Sequence, residues 1–144
     1  MDHAAVQQVH SSLIGQSAPD VVLEKTDGKL ASVVGSRQGK KAILVFWATW
    51  CPHCYEDFTA INDHIASAEQ NGIKIILVDI GETKEAVKNY LARRQMNLVS
   101  FVNEDSYLQG VYHIVGVPTL FFIDEKGIIR HVTHAFPPNY QDLF

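Results

Sequence analysis

A Cys-x-x-Cys pair placed directly after a buried strand constrains this chain more than any other feature. The pair Cys51-Pro52-His53-Cys54 holds both cysteines of the 144 residues. The preceding run, Lys41–Trp47, is apolar after its first residue, which is typical of a strand buried on both faces in the middle of a sheet. A bridge between two cysteines this close closes a very small loop and stabilises a fold only slightly. The pair therefore indicates chemistry, and the alternative is two buried cysteines that act as small hydrophobic side chains.

The remaining sequence alternates between strand and helix patterns. After the cysteines, apolar residues recur at helical spacing as far as Asn71-Gly72, and Thr83 is a suitable N-cap for a second helix. This order predicts an α/β fold with a mixed central sheet flanked by helices. The predicted elements are a hairpin of Val21–Leu23 and Leu30–Val34 around Asp27-Gly28, strands Lys41–Trp47, Ile73–Ile80 and Val99–Val102, helices after Cys51, after Thr83 and over Ser106–Tyr112, and a closing hairpin of Thr119–Ile123 and Ile128–Val132.

The length predicts one domain over residues 1–144, with residues 1–17 as a lead-in segment whose apolar positions are spaced like a short amphipathic helix. Apolar residues make up 47% and charged residues 19%, so the chain can bury a core. The net charge of -4 and the lack of a long basic run argue against a nucleic-acid surface. The longest apolar run, Ala42–Ala48, is too short to span a bilayer. The first five residues carry no signal-peptide pattern, which fits a cytosolic protein and equally a chain without its leader.

The two cysteines are expected to differ in reactivity. A strand, a short loop and a helix in this order place Cys51 at a helix N-terminus, where unpaired N–H groups and the helix dipole favour a thiolate. Pro52 suits the first helical turn because its missing N–H would have no partner there. His53 favours the thiolate further if it is protonated or donates a hydrogen bond, and otherwise it is an exposed loop residue. Cys51 is therefore the expected attacking sulfur, and Cys54 the expected resolving thiol.

The segment Phe46–Cys54 resembles the active-site strand and loop of the thioredoxin superfamily. Three further motifs narrow the resemblance to the TlpA/ResA-type thiol-disulfide oxidoreductases: Ser17-Ala18-Pro19-Asp20 before the Asp-Gly hairpin, Gly116-Val117-Pro118-Thr119, and Phe122-Ile123-Asp124-Glu125-Lys126-Gly127. The resemblance runs from about Ile14 to about Val132, which is nearly the whole chain. It implies a thioredoxin fold with an N-terminal β-hairpin extension and an enzyme that needs no cofactor.

The resemblance also implies roles for individual residues. Pro118 matches the family's cis-proline, which faces the cysteines and leaves the backbone of Val117 free to pair with a substrate strand. Trp50 matches a tryptophan that shields the disulfide. Asp57 matches an acidic position credited with tuning the cysteines. The alternatives are a trans proline opening an edge strand, a loop aromatic that packs on the core, and a solvated helix residue.

Two departures from the superfamily pattern bear on the chemistry. Thioredoxin carries a buried acid six residues before its first cysteine, and Val45 occupies that position here. A proton relay to Cys54 must then use Asp57, Glu56 or water. The dipeptide Pro52-His53 resembles that of the periplasmic disulfide-introducing oxidases more than that of the cytochrome-maturation reductants. A more stable thiolate makes a disulfide more oxidising.

The resemblance implies cysteine-containing protein substrates and a redox partner protein. It also implies an extracytoplasmic bacterial location, with a membrane tether that this chain does not contain. The final helix of the fold is expected to be short or truncated, because only Pro137–Phe144 follows the closing hairpin. Part of one sheet face should then be exposed, or covered by residues 4–14 or by a neighbouring copy, so that the protein is a monomer or a weak dimer.

Two other functions remain as alternatives. A Zn or Cu(I) carrier would use the two thiolates with His113, His131 or His134 as a third ligand, although each of these is also a plausible surface histidine. A thiol peroxidase of the peroxiredoxin branch would need proline and threonine before its cysteine. Leu44 and Ala48 occupy those two positions.

Overall fold

The computed structural model describes residues 12–105 and 107–144. Within these ranges, seven strands and three helices follow one another in the order that the sequence predicts. The strands are β1 (Val22–Glu24), β2 (Leu30–Ser32), β3 (Lys41–Trp47), β4 (Ile73–Ile80), β5 (Ser100–Asn103), β6 (Thr119–Ile123) and β7 (Ile129–Thr133), the helices are α1 (Pro52–Gln70), α2 (Lys84–Arg93) and α3 (Tyr107–Val111), and single 3-10 turns cover Gly35–Arg37 and Tyr140–Asp142.

The central sheet has the order β5-β4-β3-β6-β7 and is mixed, as predicted. Strands β3, β4 and β5 are parallel, whereas β6 and β7 are antiparallel to their neighbours. The predicted N-terminal hairpin forms a separate antiparallel pair, β1 with β2. It is tied to β5 through Thr26, whose N–H donates to the carbonyl of Ser100 and whose Oγ1 accepts the N–H of Ser100. The predicted fold class is confirmed.

The central strand β3 is buried on both sides, which is why its sequence is continuously apolar. Its odd-numbered residues contact α1 and α2, and we call this side of the sheet the α1 face. Its even-numbered residues contact α3 and the N-terminal segments, and we call this side the α3 face. The parallel strands β3 and β4 both end at the same edge of the sheet, where the loop that carries the cysteines begins.

Local signals explain where the helices begin and end. Helix α1 begins after Cys51 and ends at Asn71, and the next residue, Gly72, has a φ of 74° that suits glycine. Helix α2 begins after Thr83, whose Oγ1 accepts the N–H of Ala86 at 3.2 Å. No helix among the described residues is long and apolar enough to cross a membrane.

Several predicted boundaries move by one or two residues. The strand predicted over Val99–Val102 is Ser100–Asn103, because the hairpin bonds to Ser100 while Val99 is half exposed. The helix predicted from Ser106 is described from Tyr107 onward. The lead-in helix and the proposed cover by residues 4–14 fall mainly on residues 1–11, outside the described range, and residues 12–15 form a turn.

The prediction of an exposed sheet face is wrong. The segment after β7 contains only one 3-10 turn, but it folds back over the α1 face. Tyr140 is buried against this face, and the ring of Phe144 packs on Phe122 with centroids 5.5 Å apart. Aromatic side chains can cover a large apolar area without a regular helix, which is why eight residues suffice.

Candidate active site

Cys51 and Cys54 form a disulfide bond at the start of α1, with their Cα atoms 5.4 Å apart. Cys51 is the N-cap of the helix, and its sulfur accepts the N–H of Cys54 at 3.2 Å. Pro52 occupies the first helical position, as expected. Cys54 is fully buried, whereas Cys51 retains 3% of its surface. A thiolate formed at Cys51 would therefore sit where helix N–H groups stabilise negative charge.

The segment before β6 lies against this disulfide. The Val117–Pro118 peptide bond is cis, and the Val117 carbonyl oxygen lies 3.5 Å from the Sγ atom of Cys51. Pro118 is buried and Val117 is half-buried. The structure therefore brings the two sequence-predicted segments, 50–57 and 117–118, into one site.

Two predicted residues lie at the surface of this site. His53 is exposed on the first turn of α1. Trp50 is 66% exposed, so its indole does not pack into the core, contrary to the alternative interpretation of this residue. Both side chains are therefore accessible to a molecule that approaches the disulfide.

Asp57 connects α1 to the C-terminal segment. Its Oδ1 accepts the backbone N–H of Phe136 at 3.2 Å. Burial raises the pKa of Asp57 above its usual value, and repulsion by Glu56 adds to this effect. The hydrogen bond from Phe136 and the nearby His53 act in the opposite direction. Asp57 is thus a half-buried carboxyl one helical turn after Cys54, rather than a fully solvated helix residue.

The sequence analysis did not identify two further carboxyl groups near the active-site loop, those of Asp79 and Glu82. Asp79 is a fully buried residue of β4 that pairs with Trp47 of β3. Glu82 accepts the N–H of Thr49 at 2.7 Å and also the hydroxyl of Thr49. Thioredoxin has its buried acid at the position that Val45 of β3 occupies here. In this chain a buried acid is instead found on the neighbouring strand, β4. The available signal was a charged residue inside the apolar run Ile73–Ile80.

The two carboxyl groups differ in their affinity for protons. Burial, together with the adjacent carboxyl group of Glu82, raises the pKa of Asp79 to about 10. Burial opposes ionisation of Glu82 as well, but the neighbouring Asp79 and the hydrogen bonds from Thr49 together hold the pKa of Glu82 below its usual value. At neutral pH the pair therefore carries one proton on Asp79 and one negative charge on Glu82.

The histidines considered as metal ligands do not complete a metal site. Within the described ranges, no group of three or more His, Cys, Asp and Glu side chains lies close enough together to hold a metal ion. His131 lies on β7 with its Nδ1 3.1 Å from the carbonyl of Leu143, and the Nδ1 of His134 is 3.4 Å from the Oγ1 of Thr119. His113 follows α3 at the surface.

Comparisons with known proteins agree with this geometry. The sequence model that describes the AhpC/TSA family matches residues 14–132 of this chain. The thiol-disulfide oxidoreductase ResA of Bacillus subtilis is 32% identical over 120 residues, a match that covers 83% of this chain and 66% of ResA. The chain therefore spans slightly less than two thirds of that relative.

Solved structures share the fold. The thioredoxin domain of a thiol-disulfide oxidoreductase from Bacteroides vulgatus superposes with a TM-score of 0.78 at 20% identity, covering 89% of this chain and 93% of that domain. The exposed lipoprotein thioredoxin of Streptococcus pneumoniae superposes with a TM-score of 0.69 at 28% identity, covering 83% of this chain and 91% of that protein.

Proposed function

Because the chain belongs to the AhpC/TSA family, we propose that it is a thiol-disulfide oxidoreductase that acts on protein thiols through Cys51 and Cys54. The observation that carries this proposal is the Cys51–Cys54 disulfide at a helix N-terminus, with the Sγ of Cys51 next to the carbonyl of Val117. This arrangement combines a stabilised leaving thiolate with an adjacent backbone segment that can hold a substrate. Both favour disulfide exchange with a protein substrate.

The reaction proceeds in two exchange steps. A substrate thiolate attacks the Sγ of Cys51, which forms a mixed disulfide and releases Cys54 as a thiolate that takes up a proton. A second substrate thiolate then attacks the substrate sulfur of the mixed disulfide, and Cys51 leaves as a thiolate. The substrate dithiol is thereby oxidised to a disulfide, and the enzyme disulfide is reduced to a dithiol. The same steps in reverse reduce a substrate disulfide.

The surrounding residues have roles in binding and tuning. The backbone of Val117, held before Pro118, pairs with an extended substrate segment by β-augmentation. The exposed indole of Trp50 provides an apolar contact beside the disulfide. Asp57 lies one helical turn after Cys54, and its charge state influences the cysteines. His53 stabilises the thiolate of Cys51 and makes the couple more oxidising.

The substrates proposed are cysteine-containing proteins, together with a redox partner that restores the active state. An extracytoplasmic location is proposed because this chain resembles a pneumococcal protein described as an exposed lipoprotein. Disulfide exchange with structural cysteines is also typical of oxidising compartments.

The experiment that tests this function follows a mixed disulfide. Oxidised protein is incubated with a reduced two-cysteine peptide, and the products are separated by mass spectrometry. The wild type should oxidise the peptide catalytically when glutathione disulfide is supplied. In the reverse direction, reduced Cys54→Ser mixed with the disulfide form of the peptide should accumulate a peptide adduct on Cys51, because Cys51 attacks the peptide disulfide and the resolving thiol is missing. Failure of the wild type to turn over the peptide would contradict the proposal.

The two alternatives are tested in parallel. Anaerobically reduced protein titrated with Zn²⁺ or Cu(I) reports metal binding, and consumption of hydrogen peroxide reports peroxidase activity. Leu44 and Ala48, which stand at the peroxidase proline and threonine positions, are both fully buried and carry no group that could bind a peroxide. We expect no tight binding of Zn²⁺ or Cu(I). We also expect hydrogen peroxide to be consumed much more slowly than the peptide thiols are oxidised.

A further inference from the structure

Glu82 is bound to the loop that precedes the attacking cysteine. It follows β4 and accepts both donors of Thr49: the backbone N–H at 2.7 Å and the side-chain hydroxyl. Hydrogen bonds to an ionised carboxylate are about twice as strong as those between neutral groups. Thr49 is two residues before Cys51, and the N–H of Cys51 in turn donates to the carbonyl of Ala48 at 3.2 Å. The position of the loop, and with it that of Cys51, thus depends on Glu82.

Asp79 lies three residues before Glu82 and is fully buried. Neither of its carboxyl oxygens has a hydrogen-bond partner among the described residues. An ionised carboxylate left in this state would be very costly. A proton on Asp79 removes that cost and also the repulsion between the two carboxyl groups. Two adjacent carboxyl groups that share one proton are a familiar arrangement in protein sites.

The pair lies where the active-site loop leaves β3: Glu82 contacts Thr49 of the loop, and Asp79 lies beside the last residue of β3. Asp79 pairs with Trp47 in the sheet register, and odd-numbered residues of both strands point to the α1 face. The indole N–H of Trp47 donates to the Oγ of Ser100 at 2.9 Å, so the tryptophan is itself fixed. Strands β4 and β5 therefore hold the end of β3, from which the loop departs.

From these contacts we infer that Glu82 is a positioning residue for Cys51. It holds Thr49, and thereby keeps the Cys51 sulfur against the N–H groups of α1 and beside the carbonyl of Val117. A protonated Asp79 adds no charge that would repel Glu82 from this position. This inference rests on the proposed function, since it explains how the attacking sulfur is aligned.

The charge of Glu82 has the opposite effect from its hydrogen bonds. A carboxylate near a thiolate disfavours the thiolate, whereas an ordered loop favours it by aligning the sulfur with the helix N-terminus. Glu82→Gln removes the charge and keeps an acceptor for Thr49. Glu82→Ala removes both. Comparison of these two variants therefore separates positioning from electrostatics.

The test measures the pH dependence of Cys51 alkylation by iodoacetamide in the reduced full chain. Glu82→Ala and Thr49→Val should slow the reaction at mildly acidic pH about tenfold, because a smaller fraction of Cys51 is then thiolate. Glu82→Gln and Thr49→Ser should stay within about twofold of the wild type, since Gln keeps one acceptor oxygen for Thr49 and Ser keeps both donors to Glu82. Glu85→Gln, which removes an exposed charge from the first turn of α2, is the control.

Equal profiles for Glu82→Ala and Glu82→Gln would overturn the inference, as would wild-type profiles for all variants. Far-ultraviolet circular dichroism verifies folding, and Thr49→Val, which conserves shape, carries the test if Glu82→Ala does not fold. Alkylation reports the thiol without any substrate protein. A wild type that fails to exchange disulfides would therefore contradict the proposed function while the positioning of Cys51 could still be measured.

Discussion

The carbonyl oxygen of Val117 lies 3.5 Å from the Sγ atom of Cys51, although 66 positions separate the two residues. This contact places the backbone of the loop before β6 beside the more exposed of the two sulfurs. A substrate strand that pairs with this backbone would bring its own cysteine to Cys51 and leave Cys54 behind it in the core. This geometry supports the proposal that Cys51 is the attacking sulfur and Cys54 the resolving sulfur.

The first prediction concerns this difference between the cysteines. Limited iodoacetamide added to the reduced protein at mildly acidic pH should modify Cys51 about tenfold faster than Cys54, because the helix N-terminus stabilises the Cys51 thiolate and Cys54 is fully buried. Peptide mass spectrometry measures the two products. Equal labelling, or faster labelling of Cys54, would reverse the assignment.

The second prediction concerns His53. His53→Thr should raise the pKa of Cys51 and make the couple less oxidising, since the thiolate loses a stabilising neighbour. We expect the equilibrium constant with glutathione to change about tenfold, which corresponds to about 30 mV for two electrons. Lys88→Thr, which removes a cation from the exposed side of α2, serves as a control. An unchanged potential would show that His53 has no part in setting it.

The third prediction concerns Asp57, whose pKa burial raises above its usual value. The exchange rate should show an inflection at the pH where Asp57 titrates, and Asp57→Asn should abolish that inflection. Glu56→Gln should keep the inflection but move it to lower pH, because repulsion by Glu56 contributes to the raised pKa. Stopped-flow kinetics with a model disulfide measures both profiles. An inflection that survives in Asp57→Asn would assign it to another group.

The fourth prediction concerns stability and the buried acid Asp79. Its pKa is about 10 in the folded protein, against an ordinary value of 3.8, so the folded chain keeps a proton that the unfolded chain releases. Stability should therefore fall as pH rises between these values, by up to about 1.4 kcal/mol per pH unit. Asp79→Asn cannot ionise and should remove this slope, so the stability of the variant relative to the wild type should increase as pH rises.

Urea unfolding at several pH values measures this slope. The control is Asp63→Asn, at an exposed position of α1, which should unfold with the wild-type pH dependence. A slope that persists in Asp79→Asn would mean that Asp79 is already ionised in the folded protein.

The fifth prediction concerns the C-terminal segment. Tyr140 is 2% exposed and packs with Phe136 and His64, with ring centroids 5.0 and 5.6 Å away. Tyr140→Ala should lower the free energy of unfolding by about 3 kcal/mol, the usual loss for a large buried aromatic side chain. Tyr107→Ala, at a position that is 51% exposed, should change it by less than about 0.5 kcal/mol. Similar losses in both variants would show that the segment does not cover the sheet.

Patterns within short stretches of the sequence determined much of this protein. The continuous apolar run of β3, the helical spacing after Cys54, and the capping residues Thr83 and Gly72 each depend on neighbours in the chain. These local preferences agree with the final fold, so strands and helices could be predicted to within one or two residues. The position of Cys51 at a helix N-terminus followed from the same local order.

Only the tertiary structure decided which distant residues meet. The strand register places the buried carboxyl of Asp79 beside Trp47, and a loop after β4 brings Glu82 to Thr49, 33 positions away. The return of Tyr140 over the α1 face depended in the same way on long-range packing, and the short length of the final segment had wrongly predicted an exposed face. Such contacts depend on how the strands and helices pack against one another, and the sequence pattern of each single element does not determine this. Local sequence patterns therefore cannot predict which side chains meet across the sheet. For the same reason they cannot predict that burial keeps Asp79 protonated.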